Sequence, residues 1–299
     1  MEFREERNGD FSLIPSSAAD FRRFLGLPAR RKREHLFRFS RVSPHLLGSL
    51  RKGYLWMSKP GDLNDPFDSK VFLNYTLSAE QLRQHVVVRR NQAPSAGTSP
   101  RSITGVGRYR SVSRFALGED SLRLDSPESI NTLLNLAKFA ERSRYLDKAL
   151  GVCCFTEDSE SLLMWAHYAD RHRGVCLRFR HRKSEDFAEY CFPVQYRSSV
   201  WTCRCGPADV ITQSRALFRG LLLKSRHWRY EREWRRISFG SGESSFQRSD
   251  LDGVILGINV TRADKKDVLS LLRRHGYSHV EILQARQHIR RYGVCIARL

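Results

Sequence analysis

The chain has 299 residues, and its 52 Lys and Arg against 32 Asp and Glu give a formal charge of +20. That length buries a core without staples, and a composition 40% hydrophobic and 28% charged is that of a folded globular protein, which argues against a disordered or membrane-embedded chain. The basic excess favours nucleic acid, nucleotide phosphates or an acidic protein as partners, although a genomic bias towards arginine accounts for it equally well.

Residues 1–34 read as a polar leader ending in "RRKRE", with one short helix at "SAADFRRFLG". A single domain is expected over 35–299. It opens with a strand at "HLFRFS", a helix at "SPHLLGSLRKG" stopped by Gly53, and a strand at "YLWMS". "KPGDLNDPFDSK" must turn, because Pro60, Gly61, Asn64 and Pro66 each oppose regular structure. Helices are predicted at "SAEQLRQHVVVRR" and over residues 127–150. Between them residues 91–127, rich in Ser, Gly, Pro and Arg, read as a flexible basic insertion whose Arg101, Arg108, Tyr109, Arg110 and Arg114 suit a nucleic-acid backbone.

The second half alternates tightly. "GVCCFT" reads as a strand, "SLLMWAHYADR" as a helix, "GVCLRFR" and "CFPVQY" as strands, and "ADVITQSRALFRGLLLKS" as a helix. "EWRRIS" and "GVILGI" follow as strands, "RADKKDVLSLLRRHG" as a helix, and "HVEILQA" and "YGVCIAR" as strands. Strands follow one another without helical crossovers, so the fold class is α+β, with a mixed, mainly antiparallel sheet flanked by helices. Seven irregularly spaced cysteines oppose a disulfide framework, and "CRC" lacks the second ligand pair of a zinc site. No apolar run reaches bilayer length, so a cytoplasmic chain without membrane contact, or an exported effector, is expected.

"YLWMSKPGDLNDPFD", "GVCCFTEDSESLLMWAHYADRHRGVCLRF" and "KSRHWRYEREWRRIS", in that order, resemble the signature blocks of a bacterial family known as domain of unknown function 2971. The resemblance spans roughly residues 35–285 and implies no chemistry by itself.

Read as a strand, "YEREWRRIS" puts Glu231, Glu233 and Arg235 on one face. This Glu-x-Glu is similar to that of arginine-directed ADP-ribosyltransferases. The resemblance implies that Arg38 holds a phosphate or ribose of NAD and that Thr156 supports the nicotinamide ribose. It further implies that Glu233 stabilises an oxocarbenium ion while Glu231 orients the acceptor, a protein or nucleic acid. A toxin, effector or phage-defence setting would fit, and no metal is needed. The competing reading has both glutamates merely neutralising neighbouring arginines in exposed pairs, each contributing ~0–1 kcal/mol.

"DLNDPFD" reads first as a self-stabilising turn, then as a substrate-gripping loop through Asn64 and Asp65. A third reading joins Asp65 or Asp68 to the glutamates in a Mg²⁺-dependent nuclease in which Lys224 stabilises a phosphate. In "LLMWAHY", Trp165 and Tyr168 share a helical face, either as core or as a ring-stacking platform, and His167 is a candidate acid or base. A non-enzymatic nucleic-acid or partner-binding protein is the remaining alternative.

Overall fold

A computed structural model describes residues 4–5, 11–12, 18–27, 33–69, 71–75, 148–181, 187, 190–205 and 210–299. The predicted helices over 78–90 and 127–147 and the insertion at 91–127 lie outside the described residues. Two compact units form: one from residues 1–71, 143–201 and 214–299, the other from 72–142 and 202–213. The larger unit contains the main sheet and the sites described below.

The chain begins with the paired strands β1 (Arg4–Glu5) and β2 (Phe11–Ser12) and helix α1 (Ala18–Phe24). Strand β3 (His35–Ser40) leads into α2 (Pro44–Lys52). Ser43 caps α2 by accepting from the Leu46 amide (3.2 Å), and Gly53 ends it at φ 78, a left-handed conformation that costs glycine little. After β4 (Tyr54–Met57) the chain makes a 3-10 turn at Pro60–Asp62, within the stretch that Pro60, Gly61, Asn64 and Pro66 mark as turning.

Strand β5 (Val71–Tyr75) is followed among the described residues by β6 (Leu150–Thr156) and α3 (Leu162–Tyr168), which Ser161 caps. Next come β7 (Val175–Arg180), β8 (Cys191–Pro193), β9 (Gln195–Arg197) and β10 (Trp201–Cys205). "CFPVQY" is thus two short strands rather than one, divided at Val194, whose amide bonds the Glu233 carbonyl (2.9 Å). Strands β5 and β10, which the sequence did not announce, form a two-stranded sheet largely within the second unit.

Helix α4 (Val210–Gly220) stops earlier than its apolar run predicts, and β11 (Leu223–Ser225) runs parallel to β9 instead. A 3-10 helix over Arg226–Glu231 precedes β12 (Glu233–Phe239). The remainder is β13 (Gly242–Ser245), β14 (Leu251–Leu256), α5 (Arg262–Arg274), β15 (Glu281–Gln287) and β16 (Val294–Arg298).

Eight strands form one sheet in the order β16-β15-β14-β7-β3-β6-β12-β8. All neighbours are antiparallel except β14 and β15, which α5 joins as a crossover. The α+β class and mixed sheet expected from the sequence are therefore present. Consecutive residues of β14 face opposite ways. Val254 and Leu256 pack with Leu46 and Leu50 of α2 and Val268, Leu271 and Leu272 of α5, whereas Ile255 packs with Met164 and Trp165 of α3. A third cluster joins Phe21, Phe24 and Leu25 to Leu150, Phe192, Leu221 and Ile237. Among the described residues no helix is long and apolar enough to cross a membrane.

One irregularity of the sheet positions the site. Strands β3 and β6 pair only at Phe37 and Thr156. Farther along β6 the Cys154 carbonyl accepts from Arg38 Nη1 (2.9 Å), and Val152 pairs with Ser58. A guanidinium and a piece of loop thus take over the backbone groups that the diverging strand leaves open, and the "LNDPFD" turn enters beside the split.

Candidate functional site

A cavity of about 260 Å³ opens at this split, walled by Phe37, Arg38, Asn64, Tyr168, Glu231 and Glu233 among others. At its base lie three carboxylates, Asp68, Glu231 and Glu233, and two cations, Lys224 and Arg235, all buried. They come from the turn after β4, from β11, from the 3-10 helix and from β12.

Arg235 is wholly buried and uses all its donor groups. Nη1 and Nη2 grip Asp68 Oδ1 and Oδ2 at 2.8 and 2.6 Å, while Nε and Nη2 grip Glu233 Oε1 and Oε2 at 2.7 and 3.1 Å. The remaining Nη1 donor reaches the Leu221 carbonyl (2.7 Å). Two bidentate forks exploit a planarity that lysine lacks.

Lys224 takes a different part. Its Nζ donates to Glu231 Oε2 (2.5 Å) and Glu233 Oε2 (2.9 Å), and lies 3.6 Å from Asp68 Oδ2. Tyr168 donates from its hydroxyl to Glu231 Oε1 (2.6 Å) and accepts from Asn64 Nδ2 (3.1 Å). The Glu233 amide donates to the Tyr196 hydroxyl (2.7 Å), which fixes the start of β12.

The two glutamates differ in environment. Burial would raise the Glu233 carboxyl, but Arg235 and then Lys224 outweigh it and hold the group at about 2. Glu231 is raised instead, because burial outweighs its pairing with Lys224 and the neighbouring Glu233 adds repulsion. With three carboxylates against two cations the cluster carries a formal charge of −1, and the excess falls on the carboxylate without a guanidinium partner. Burial and the Glu231 charge both push the Tyr168 hydroxyl up, and the surrounding carboxylates push Lys224 up despite its burial. Carboxylates driven apart in this way are a common basis for separate acid–base roles.

The sequence expectations meet this geometry unevenly. Arg38, Asn64, Tyr168, Glu231 and Glu233 share the cavity. Glu231 does not lie on the strand with Glu233: it ends the 3-10 helix, and Arg232 at φ 44 turns the chain before β12 begins. Both carboxylates still converge, on Lys224. Nor are these exposed counter-charges, since Glu231, Glu233 and Arg235 are each at most 4% exposed.

Trp165 is core rather than a platform. It is fully buried, donates to the Ser159 carbonyl (2.8 Å), and packs on Phe39 and His172. His167 is exposed beside Tyr168 and outside the cavity lining. Thr156 is buried, and its hydroxyl accepts from the Asp158 amide (3.1 Å), a turn role. Asp65 likewise accepts from the Phe67 amide (2.9 Å) and lines a different cavity. Lys224 and Asp68 entered the sequence reading only as parts of a nuclease. In the structure the ammonium occupies the space between the carboxylates that a Mg²⁺ ion would need, and among the described residues no group of three or more His, Cys, Asp or Glu is arranged to hold a metal.

A family model described as protein of unknown function (DUF2971) matches residues 164–236. That stretch carries Tyr168, Lys224, Glu231, Glu233 and Arg235, but not Arg38, Asn64 or Asp68. No curated protein and no solved structure matches the chain.

Proposed function

We propose that this cavity is the reaction site of an enzyme that cleaves the bond between ribose and nicotinamide in NAD, passing the ADP-ribosyl group to water or to a protein or nucleic-acid acceptor. The observation that carries the reading is the setting of Glu231, a buried carboxylate of raised pKa on the cavity wall, bonded to Tyr168 and Lys224. As the bond from C1′ to the nicotinamide nitrogen breaks, its electron pair leaves with the neutralised ring and the ribose becomes oxocarbenium-like. The negatively charged cluster stabilises that charge, and Glu231 takes the proton from the nucleophile that adds to C1′.

Glu233 has a supporting part here, because its charge is already shared between Arg235 and Lys224. Arg38 and Asn64 offer donors to a phosphate or ribose hydroxyl, and Phe37 and Phe39 offer apolar surface to a ring. The cavity lies just below the roughly 300–1,000 Å³ of most ligand sites, so it suits one half of the dinucleotide. A metal-dependent nuclease is less well supported, since Lys224 and Arg235 already neutralise the carboxylates it would need.

The test is free nicotinamide, measured chromatographically after incubation with NAD⁺ alone and with protein or oligonucleotide acceptors. Release by the wild type and a loss of at least about 100-fold in Glu231→Gln are expected. No release under any of these conditions, or undiminished release by the variant, overturns the proposal.

A further inference from the structure

A second cavity, of about 340 Å³, lies beside the first. Lys224 lines both cavities, and neighbouring residues of one turn divide between them: Asn64 lines the first and Asp65 the second. The walls of the second are unlike those of the first. Trp201, Trp228 and Phe67 contribute three aromatic rings, and Ser198, Ser199 and Asp65 contribute hydroxyl and carboxylate groups. Phe67 is 71% exposed although it is large and apolar. The Asx turn made by the Asp65 carboxylate and the Phe67 amide holds it in place. Cations stand over both indoles, Lys224 Nζ at 5.2 Å from the Trp228 centroid and the Arg219 guanidinium at 5.0 Å from that of Trp201.

We infer that this second cavity binds a nucleobase. Aromatic walls offer stacking to any flat heterocycle, and a carboxylate with hydroxyls accepts from the ring or exocyclic N–H groups that bases present. The local charge selects between flat ligands. Arg197, exposed on the cavity wall, offers its guanidinium to a phosphate and offsets the carboxylate of Asp65, which favours a base carrying phosphate over a cationic guanidinium. The inference rests on the proposed function for its biological meaning, since the base would be either the adenine of NAD or a base of a nucleic-acid acceptor. Its binding is nevertheless measurable without any turnover.

The experiment titrates the full chain carrying Glu231→Gln with AMP and GMP, and with ribose 5-phosphate as the base-free control, by calorimetry. Mononucleotide binding at least about tenfold tighter than that of ribose 5-phosphate is expected, and its weakening by about tenfold in Trp228→Ala. Phe67→Ala, at an exposed position, gives the same readout should Trp228→Ala fail to fold. Equal binding of AMP and ribose 5-phosphate, or unchanged binding in Phe67→Ala, overturns the inference. Two further arms separate the sources. Competition of NAD⁺ with AMP, without competition by nicotinamide mononucleotide, assigns the cavity to the adenine half. A single-stranded oligonucleotide that binds alongside NAD⁺ and is weakened by Phe67→Ala assigns it to the acceptor. Because these are binding measurements, base recognition can hold where nicotinamide release is absent, and can fail where release is present.

Discussion

Arg235 shows how far a single side chain can govern a site. Removing it leaves Asp68 and Glu233 buried without their guanidinium, a situation that costs about 3–5 kcal/mol. Arg235→Leu is therefore expected to lower the urea midpoint steeply, whereas Arg298→Leu, at an 87% exposed partner of Glu281, should change stability by less than about 1 kcal/mol. Similar effects of the two would contradict the buried network. Glu233 adds a pH signature. Its carboxyl titrates ordinarily near 4.5 and here at about 2, so the stability it contributes is complete above 4.5 and fades as pH falls towards 2. That contribution is on the order of 3 kcal/mol. Glu231, shifted upward, acts in the opposite sense: protonation relieves its burial, and its cost accrues as pH rises from 4.5 to its raised value. Acid unfolding of Glu233→Gln should accordingly show a stability loss between pH 4.5 and 2 that is smaller than the wild type's by on the order of 3 kcal/mol.

Elements differ in how openly the sequence declares them. Gly53 ends α2 as its sequence predicts, and Thr261 and Asp264 cap the start of α5 reciprocally, at 3.0 and 2.8 Å. The 3-10 helix before β12 gives no comparable cue. Arg232 adopts a positive φ that ordinary residues rarely take, so strand alternation ran through it and misplaced Glu231. Lys224 was hidden for another reason: the apolar "GLLLKS" continues a helical pattern, while β9 draws the segment into a parallel pair. The connection between α3 and β7 has its own strain, with Asp170, Arg171 and His172 all at positive φ. Gly174 closes it, because a Cβ there would stand 2.1 Å from the Ser40 carbonyl oxygen. Gly174→Ala is expected to cost about 1–3 kcal/mol in urea unfolding, and a neutral result would refute the close approach.

At the scale of the molecule, the charge of +20 and the candidate site are separate matters, since the cluster at the cavity base is itself negative. A single-stranded oligonucleotide should bind with an affinity that falls steeply as salt rises, to a similar degree in wild type and Glu231→Gln. Filter-binding titrations across a salt series check this, and salt-independent affinity would remove the basic surface from consideration. Class and sheet were legible because periodicity and capping are local. The ion cluster was not, because its partners are set by how strands β3 and β6 part and by what enters between them.

The same wide spacing bears on when the site comes into being. Asp68 and Arg235 are 167 residues apart, and at about 5–20 residues per second a ribosome needs roughly 8 to 33 s to travel from one to the other. Arg38 and Asn64 meet Cys154 and Tyr168 earlier, but until then Asp68 lacks its guanidinium, and the long loop between the two must be closed before that contact forms. A nascent chain released short of Lys224 would carry Arg38, Asn64 and Tyr168 without the ammonium and the glutamates of the cavity.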